Sequence, residues 1–169
     1  MYFLDVFKAI LERRSIRKYV KDKKIPEETL QKLLEAARLA PSGRNKQEWS
    51  LVIVEDPEIK QELVPACNNQ TFVGNASIVI AGVVNPSWKW CDVDLAIAFE
   101  HIVLEAVELG LGTCWIGAFE ENKVKKVLNI PGKLRVTILL TVGFPAEKPN
   151  PRPKKPLEQL IYINKFSKK

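Results

Sequence analysis

Apolar residues at Val6, Ile10 and Leu11, with Phe3 a turn earlier, recur at the spacing of one helical face and predict a first helix ending near Arg13. Pro26 suits a first helical position, and Glu27 and Glu28 complement the positive end of a helix dipole. Leu30, Leu33, Leu34 and Ala37 then form the apolar stripe of a second helix, which "APSG" (40–43) stops. "WSLVIVED" (49–56) reads as a strand and residues 57–64 as a short helix. "SIVIAGVV" from Ser77 is a continuous apolar run with the β-branched content of a buried strand.

The longest periodic segment, "DVDLAIAFEHIVLEAVELG", predicts a helix of about five turns that sets Asp94, His101, Glu105 and Glu108 within one narrow stripe. A helix so apolar elsewhere must be covered on most sides, in a core or a subunit interface. "TCWIGAF" is a short strand with Gly117 inside it, "ENKVKKVLN" a short helix, and "LRVTILLTVG" the clearest strand of the chain. After Gly143 the five prolines of "FPAEKPNPRPKKP" prevent a helix or a central strand, so an extended arm is expected.

The 169 residues fall within the size of one domain, long enough to bury about two-thirds of the surface exposed when unfolded, and a single core over 1–169 is expected. With 46% hydrophobic and 27% charged residues the make-up is that of a soluble protein, and no apolar run approaches the roughly 20 residues of a membrane span. The N-terminal stretch mixes acid and base into its apolar run, unlike a secretory signal, so a cytoplasmic location is expected. Cys67, Cys91 and Cys114 form no Cys-x-x-Cys pair and read as buried free thiols, with no metal site. The net charge of +6 is spread along the chain without interleaved aromatics, so no nucleic-acid partner is expected.

The glycines of "GLGTCWIGAF" fail the dinucleotide test: Trp115 stands where the third glycine of G-x-G-x-x-G would fall, and a helix precedes them. Gly110 and Gly112 read as a helix cap and turn, whereas a glycine within a strand, as at Gly117, often marks a close approach of backbone to something else. His101 is the only histidine and reads as structural, paired with Glu105, which leaves no Ser-His-Asp or Cys-His system. That leaves "ERRSIRKYV" (12–20), with four cations in nine positions, and the basic arm residues Arg152, Lys154 and Lys155.

In order along the chain, "RRSIRKY" (13–19), "APSGRNKQEW" (40–49), "GLGTCWIGAF" (110–119) and the ending "VGFPAE…PRPKKPLEQL" resemble the nitroreductase family of FMN-dependent oxidoreductases. The resemblance spans nearly the whole chain and implies an α+β fold. It has three layers, α/β/α, with a central mixed, largely antiparallel sheet flanked by helices, in an intertwined homodimer holding FMN at the interface. It implies hydride transfer from NAD(P)H through flavin N5 to a small electron-poor acceptor such as a nitroaromatic or quinone, in ping-pong order.

By the same resemblance, Arg13 and Ser15 are ligands of FMN, with Arg13 on the phosphate and Arg14 nearby, and Arg17 faces the pyrimidine edge, where a cation stabilises the reduced ring. Fork-shaped guanidinium donors suit a phosphate dianion. Pro41, Ser42 and Gly43 match the loop that crosses to the partner's ring, with Asn45 and Gln47 helping to hold that loop and the flavin. Ile116, Gly117 and Ala118 match the segment whose backbone faces N5, and Asn69 and Gln70 reach the ring or ribityl chain. Residues from about 145 to 169 would embrace the neighbouring subunit, carrying Arg152 and Lys154 to the phosphate. Glu48 stands where many members have proline, and "VNPSWKWCD" (84–92) is the material available for a substrate lid. Flavin-fragmenting or reductively dehalogenating relatives on the same fold, and a non-redox basic nucleotide- or nucleic-acid-binding module, are the alternatives.

Overall fold

The structure, a computed structural model, describes residues 5–166. Helix α1 (Val6–Glu12) starts at Asp5, whose carboxylate accepts the Phe7 N–H at 3.0 Å and so satisfies one of the unpaired donors of the first turn. Phe3, the first apolar position of the predicted stripe, lies outside the described residues. Helix α2 (Glu27–Arg38) buries Leu30, Leu33 and Ala37, and Pro26 sits one place before the first helical residue, as its N-cap. Strand β1 (Trp49–Val54) leads into α3 (Pro57–Ala66), capped by Asp56, and then into a single-turn helix, α4 (Phe72–Asn75), whose four residues are too few to show a period.

Strand β2 (Ile78–Val84) is buried along its whole length, as its unbroken apolar run requires. It is followed by α5 (Cys91–Glu108), β3 (Gly112–Ile116), α6 (Glu121–Val127) and β4 (Arg135–Gly143). The strands form one sheet in the order β1-β2-β4-β3, every neighbouring pair antiparallel. The expected mixed character survives only in an isolated parallel bridge between Ser15 and Thr113.

Helices α2 and α5 cover one face of the sheet, where Leu33, Leu95 and Phe99 are fully buried. Phe99 meets Trp115 of β3 with ring centroids 5.6 Å apart. Helices α3, α4 and α6 cover the other face through Leu63, Val73 and Val124. Burying each such side chain contributes about 1.5–3 kcal/mol. His101 does not pair with Glu105: its Nδ1 lies 3.1 Å from the Ala36 carbonyl and ties α5 to α2. All three cysteines are free and buried.

Beyond β3 the chain 13–20 runs as an extended border. The Ile16 N–H donates to the Thr113 carbonyl, the Val20 N–H to Phe144 and the Ala146 N–H to Lys18. Gly112 makes this possible, since a Cβ there would lie 2.5 Å from Ile16 Cγ1. Tyr19 fixes the border by donating to the Ile16 carbonyl at 2.8 Å and sharing a 2.8 Å hydrogen bond with the Thr141 hydroxyl. Burial of its ring raises the phenol pKa.

Candidate active site

The basic stretch begins where α1 ends. Arg13 is the C-cap, its N–H bonded to the Ala9 carbonyl while its backbone turns extended, and its half-buried side chain lies close enough to Glu100 of α5 to stabilise that carboxylate. Burial nevertheless dominates at Glu100 and pushes its pKa up. Arg14 does something different from its neighbour. Its Nη1 donates at 2.7 Å to both Leu11 and Arg13 carbonyls, closing the last turn of α1, and its buried Nε has no partner among the described residues.

Ser15 reaches the Cys114 thiol, whose pKa is raised by burial despite the opposing influence of Arg17. The exposed Arg17 guanidinium stands 6.0 Å from the centre of the Phe72 ring. Phe72 opens α4 just after Asn69 and Gln70, so a stretch distant in sequence is brought to Arg17. Asn68 and Asn69 both hold left-handed backbone, with φ of 53° and 57°. Such strain persists only where the surroundings enforce it. Gln70 Nε2 then donates to the carbonyls of Cys67 at 2.9 Å and Ala118 at 3.1 Å.

Gly117 lies just past the end of β3 rather than inside it, because the ladder with β4 closes at Ile116. Gly117 and Ala118 are exposed, whereas the Ile116 side chain is buried in the core, leaving only its backbone for a ligand. A Cβ on Gly117 would meet nothing closer than Ile138 Cδ1 at 3.6 Å. The chain's own packing therefore does not demand glycine there. Ser15, Arg17, Gln70 and residues 116–118 thus frame one sheet edge.

The loop 41–47 belongs to the opposite edge, just before β1. The Ser42 hydroxyl accepts the Gln47 N–H, and the Gln47 amide donates to the Asn45 carbonyl. These bonds close the loop on itself, and Pro41 is exposed at its start. Arg44, Asn45 and Gln47 all have left-handed backbone. Two strands separate β1 from β3, so at about 4.8 Å per strand spacing the two edges stand about 14 Å apart across the sheet. A single chain does not unite them.

The arm leaves β4 against residues 17–20, and Glu147 Oε1 accepts the Arg17 N–H at 2.5 Å and the Lys18 N–H at 3.0 Å. Pro145 and residues 147–151 wall a cleft of about 840 Å³ whose other side includes Arg14, Ile16 and Leu111. Arg152 and Lys154 are exposed and form no hydrogen bond or ion pair among the described residues. Glu147, within "VGFPAE", carries no site signal in the sequence, and Asp94 stands there only as one member of a helical stripe, whereas the structure gives it two partners, Gly43 and Trp88. Among the described residues no cluster of His, Cys, Asp or Glu is placed to hold a metal ion, and no helix is long and apolar enough to cross a membrane.

Helices on both faces of one antiparallel sheet, with a cation-bordered edge and exposed backbone beside it, define a three-layer α+β protein. Residues 10–85 and 82–144 match the model of the nitroreductase family, and the chain belongs to that family. An FMN-dependent nitroreductase from Clostridium difficile is similar in structure, with a TM-score of 0.85 and 29% identity over 94% of this chain and 98% of that one. Among curated relatives, an NADH dehydrogenase of Thermus thermophilus is 29% identical, covering 94% of this chain and 95% of its own length. An iodotyrosine deiodinase of Thermotoga neapolitana is 27% identical, covering 89% and 92%.

Proposed function

We propose that this protein is an FMN-dependent NAD(P)H oxidoreductase that reduces a small electron-poor acceptor, such as a nitroaromatic or quinone, as a cytoplasmic homodimer with two composite sites. The observation that carries the reading is the framing of exposed Gly117–Ala118 backbone by Ser15, Arg17 and Gln70 at one sheet edge. A flat ring can lie against backbone that carries no bulky side chain, and the open space at Gly117 fits that demand. When bound, FMN supplies the two-electron chemistry that no side chain of this chain offers.

The chain's own residues divide the remaining work. Arg17 sets a positive charge where negative charge accumulates on reduction, and Arg13 and Ser15 hold the phosphate end with Arg152 and Lys154 from an arm. Gln70, fixed on the Ala118 carbonyl, keeps the 116–118 backbone in place. Loop 41–47 sits at the far edge of the sheet, so it serves the site of a second copy and excludes water from above the ring.

The test is a visible spectrum of purified protein, the mass of the flavin released by heating, and NADH and NADPH oxidation with menadione as acceptor. Stoichiometric FMN and acceptor-dependent oxidation are expected. A colourless protein that takes up no FMN, or one holding FAD, overturns the reading. The similarity to a deiodinase favours reductive dehalogenation as the second reading, and iodide release from 3-iodotyrosine under dithionite distinguishes it.

A further inference from the structure

The carboxylate of Asp94, only 3% exposed, joins two stretches far apart in sequence. One oxygen accepts the Gly43 N–H at 2.9 Å and the other accepts the Trp88 indole N–H at 2.8 Å. Buried carboxylates persist where hydrogen bonds satisfy them. The contact is close: a Cβ at Gly43 would lie 3.0 Å from Trp88 Cζ2 and 3.2 Å from Trp90 Cδ1. Loop 41–47 and the turn 85–90 are therefore one packed unit seated on α5.

That unit presents an aromatic surface to solvent. Trp90 is 46% exposed, and Lys89 Nζ lies 4.8 Å from its ring. In the same two packed segments Arg44, Lys46 and Lys89 are exposed and form no ion pair among the described residues. The nearby acids are engaged: Asp92 pairs with Arg135, Glu48 accepts from the Asn85 amide, and Asp94 is satisfied as above. The patch thus joins an electron-rich indole face to unpaired positive charge.

We propose that the Trp88–Trp90 turn, tied to Gly43 through Asp94, is the acceptor platform of this enzyme and selects planar aromatic acceptors that carry a negative charge. This rests on the reading that loop 41–47 covers the redox ring of a second copy. An electron-poor ring stacks on Trp90, and Lys89 swings from the indole to its carboxylate. Asp94 is a positioning residue that acts through both segments.

The experiment uses the FMN-loaded dimer with 4-nitrobenzoate and its neutral counterpart 4-nitrobenzamide. Nitrobenzoate is expected to bind about three- to fivefold more tightly, the size of an exposed ion pair, and Lys89→Met to erase that preference. Trp90→Ala should weaken both ligands about five- to tenfold, as loss of aromatic stacking does. The Trp90 indole N–H resonance, assigned with Trp90→Phe, should shift on titration. Asp94→Asn should raise KM for the acceptor more than it lowers kcat. Because that buried site is sensitive to folding, the two exposed variants decide. Equal binding of the two probes, or an unmoved Trp90 resonance in protein that holds FMN, overturns the proposal. Wild-type protein that takes up no FMN instead overturns the flavin reading on which it rests.

Discussion

Glu147 and Arg17, 130 residues apart in sequence, meet in a single hydrogen bond in which the Glu147 carboxylate accepts the Arg17 backbone N–H. The same oxygen accepts the Lys18 N–H, so one side chain pins the root of the arm to the basic border. Glu147→Ala should lower stability by about 0.5–1.5 kcal/mol, the usual net contribution of a hydrogen bond whose donors water can take over. It should also weaken FMN binding, since Arg17 and the arm both lose their anchor. Urea denaturation and fluorescence titration with FMN measure the two effects. An unchanged FMN affinity would show that the clamp serves stability alone.

The arm itself is tested by removal. Truncation after Pro145 deletes Glu147, Arg152 and Lys154 together, and should loosen the dimer and release flavin at once. Arg152→Ala should weaken FMN binding with the dimer intact. Analytical ultracentrifugation beside flavin titration separates these outcomes. A truncated dimer that keeps its flavin as tightly as the full chain would make the arm a mere tail.

At Gly112 a methyl group would strike Ile16 within 2.5 Å. Gly112→Ala should cost about 1–3 kcal/mol, as overpacking does, and should displace residues 13–17 from β3. Ile16→Ala removes most of the obstructing atoms, so the double variant should be more stable than the sum of the two single losses predicts. Strict additivity in denaturant unfolding would mean that the border docks by other contacts.

Arg17 is exposed and makes no ion pair among the described residues, so its replacement should leave the fold intact. Arg17→Ala should lower the reduction potential of bound flavin and slow its reduction by NAD(P)H, while much of the phosphate affinity remains. A reductive titration against a dye of known potential reads the first effect and stopped flow the second. A potential unchanged within error would remove Arg17 from the pyrimidine edge.

Alkaline pH should destabilise the protein through its buried thiols. Burial pushes the Cys67 thiol from an ordinary 9.0 up to about 11. Above pH 9 the unfolded chain gives up this proton and the folded chain does not. The stability that is full below pH 9 is therefore lost progressively toward pH 11. The slope from one such group approaches about 1.4 kcal/mol per pH unit. Cys114 and Tyr19 are raised for the same reason and add to it. Urea midpoints between pH 8 and 10 should fall, and Cys67→Ala, though less stable throughout, should fall less steeply.

Periodicity carried most of the fold. The stripe through Leu30, Leu33 and Ala37 and the unbroken run of β2 each record burial directly, one on a single helical face and one on both faces of a strand. The all-antiparallel pairing was less legible, because register depends on contacts between distant segments. At the site, the density of arginines signalled the border 13–17 but did not distinguish Arg14, whose guanidinium closes its own helix, from Arg17, which stays exposed. The organising roles of Asp94 and Glu147 are not legible in the sequence, because a carboxylate's partner is set by the tertiary fold. In both cases the partner includes a backbone N–H, which leaves no mark on sequence.

The placement of loop 41–47 and the border 13–17 at opposite edges of one sheet has a genetic corollary. In the proposed dimer each site draws its border from one subunit and its loop from the other. Pair a subunit broken at Arg13 and Arg17 with one broken at Gly43. One site of the hybrid then inherits both faults, and the other inherits none. Two inactive proteins, unfolded and refolded together, should therefore complement each other, recovering about a quarter of wild-type activity when subunits pair at random.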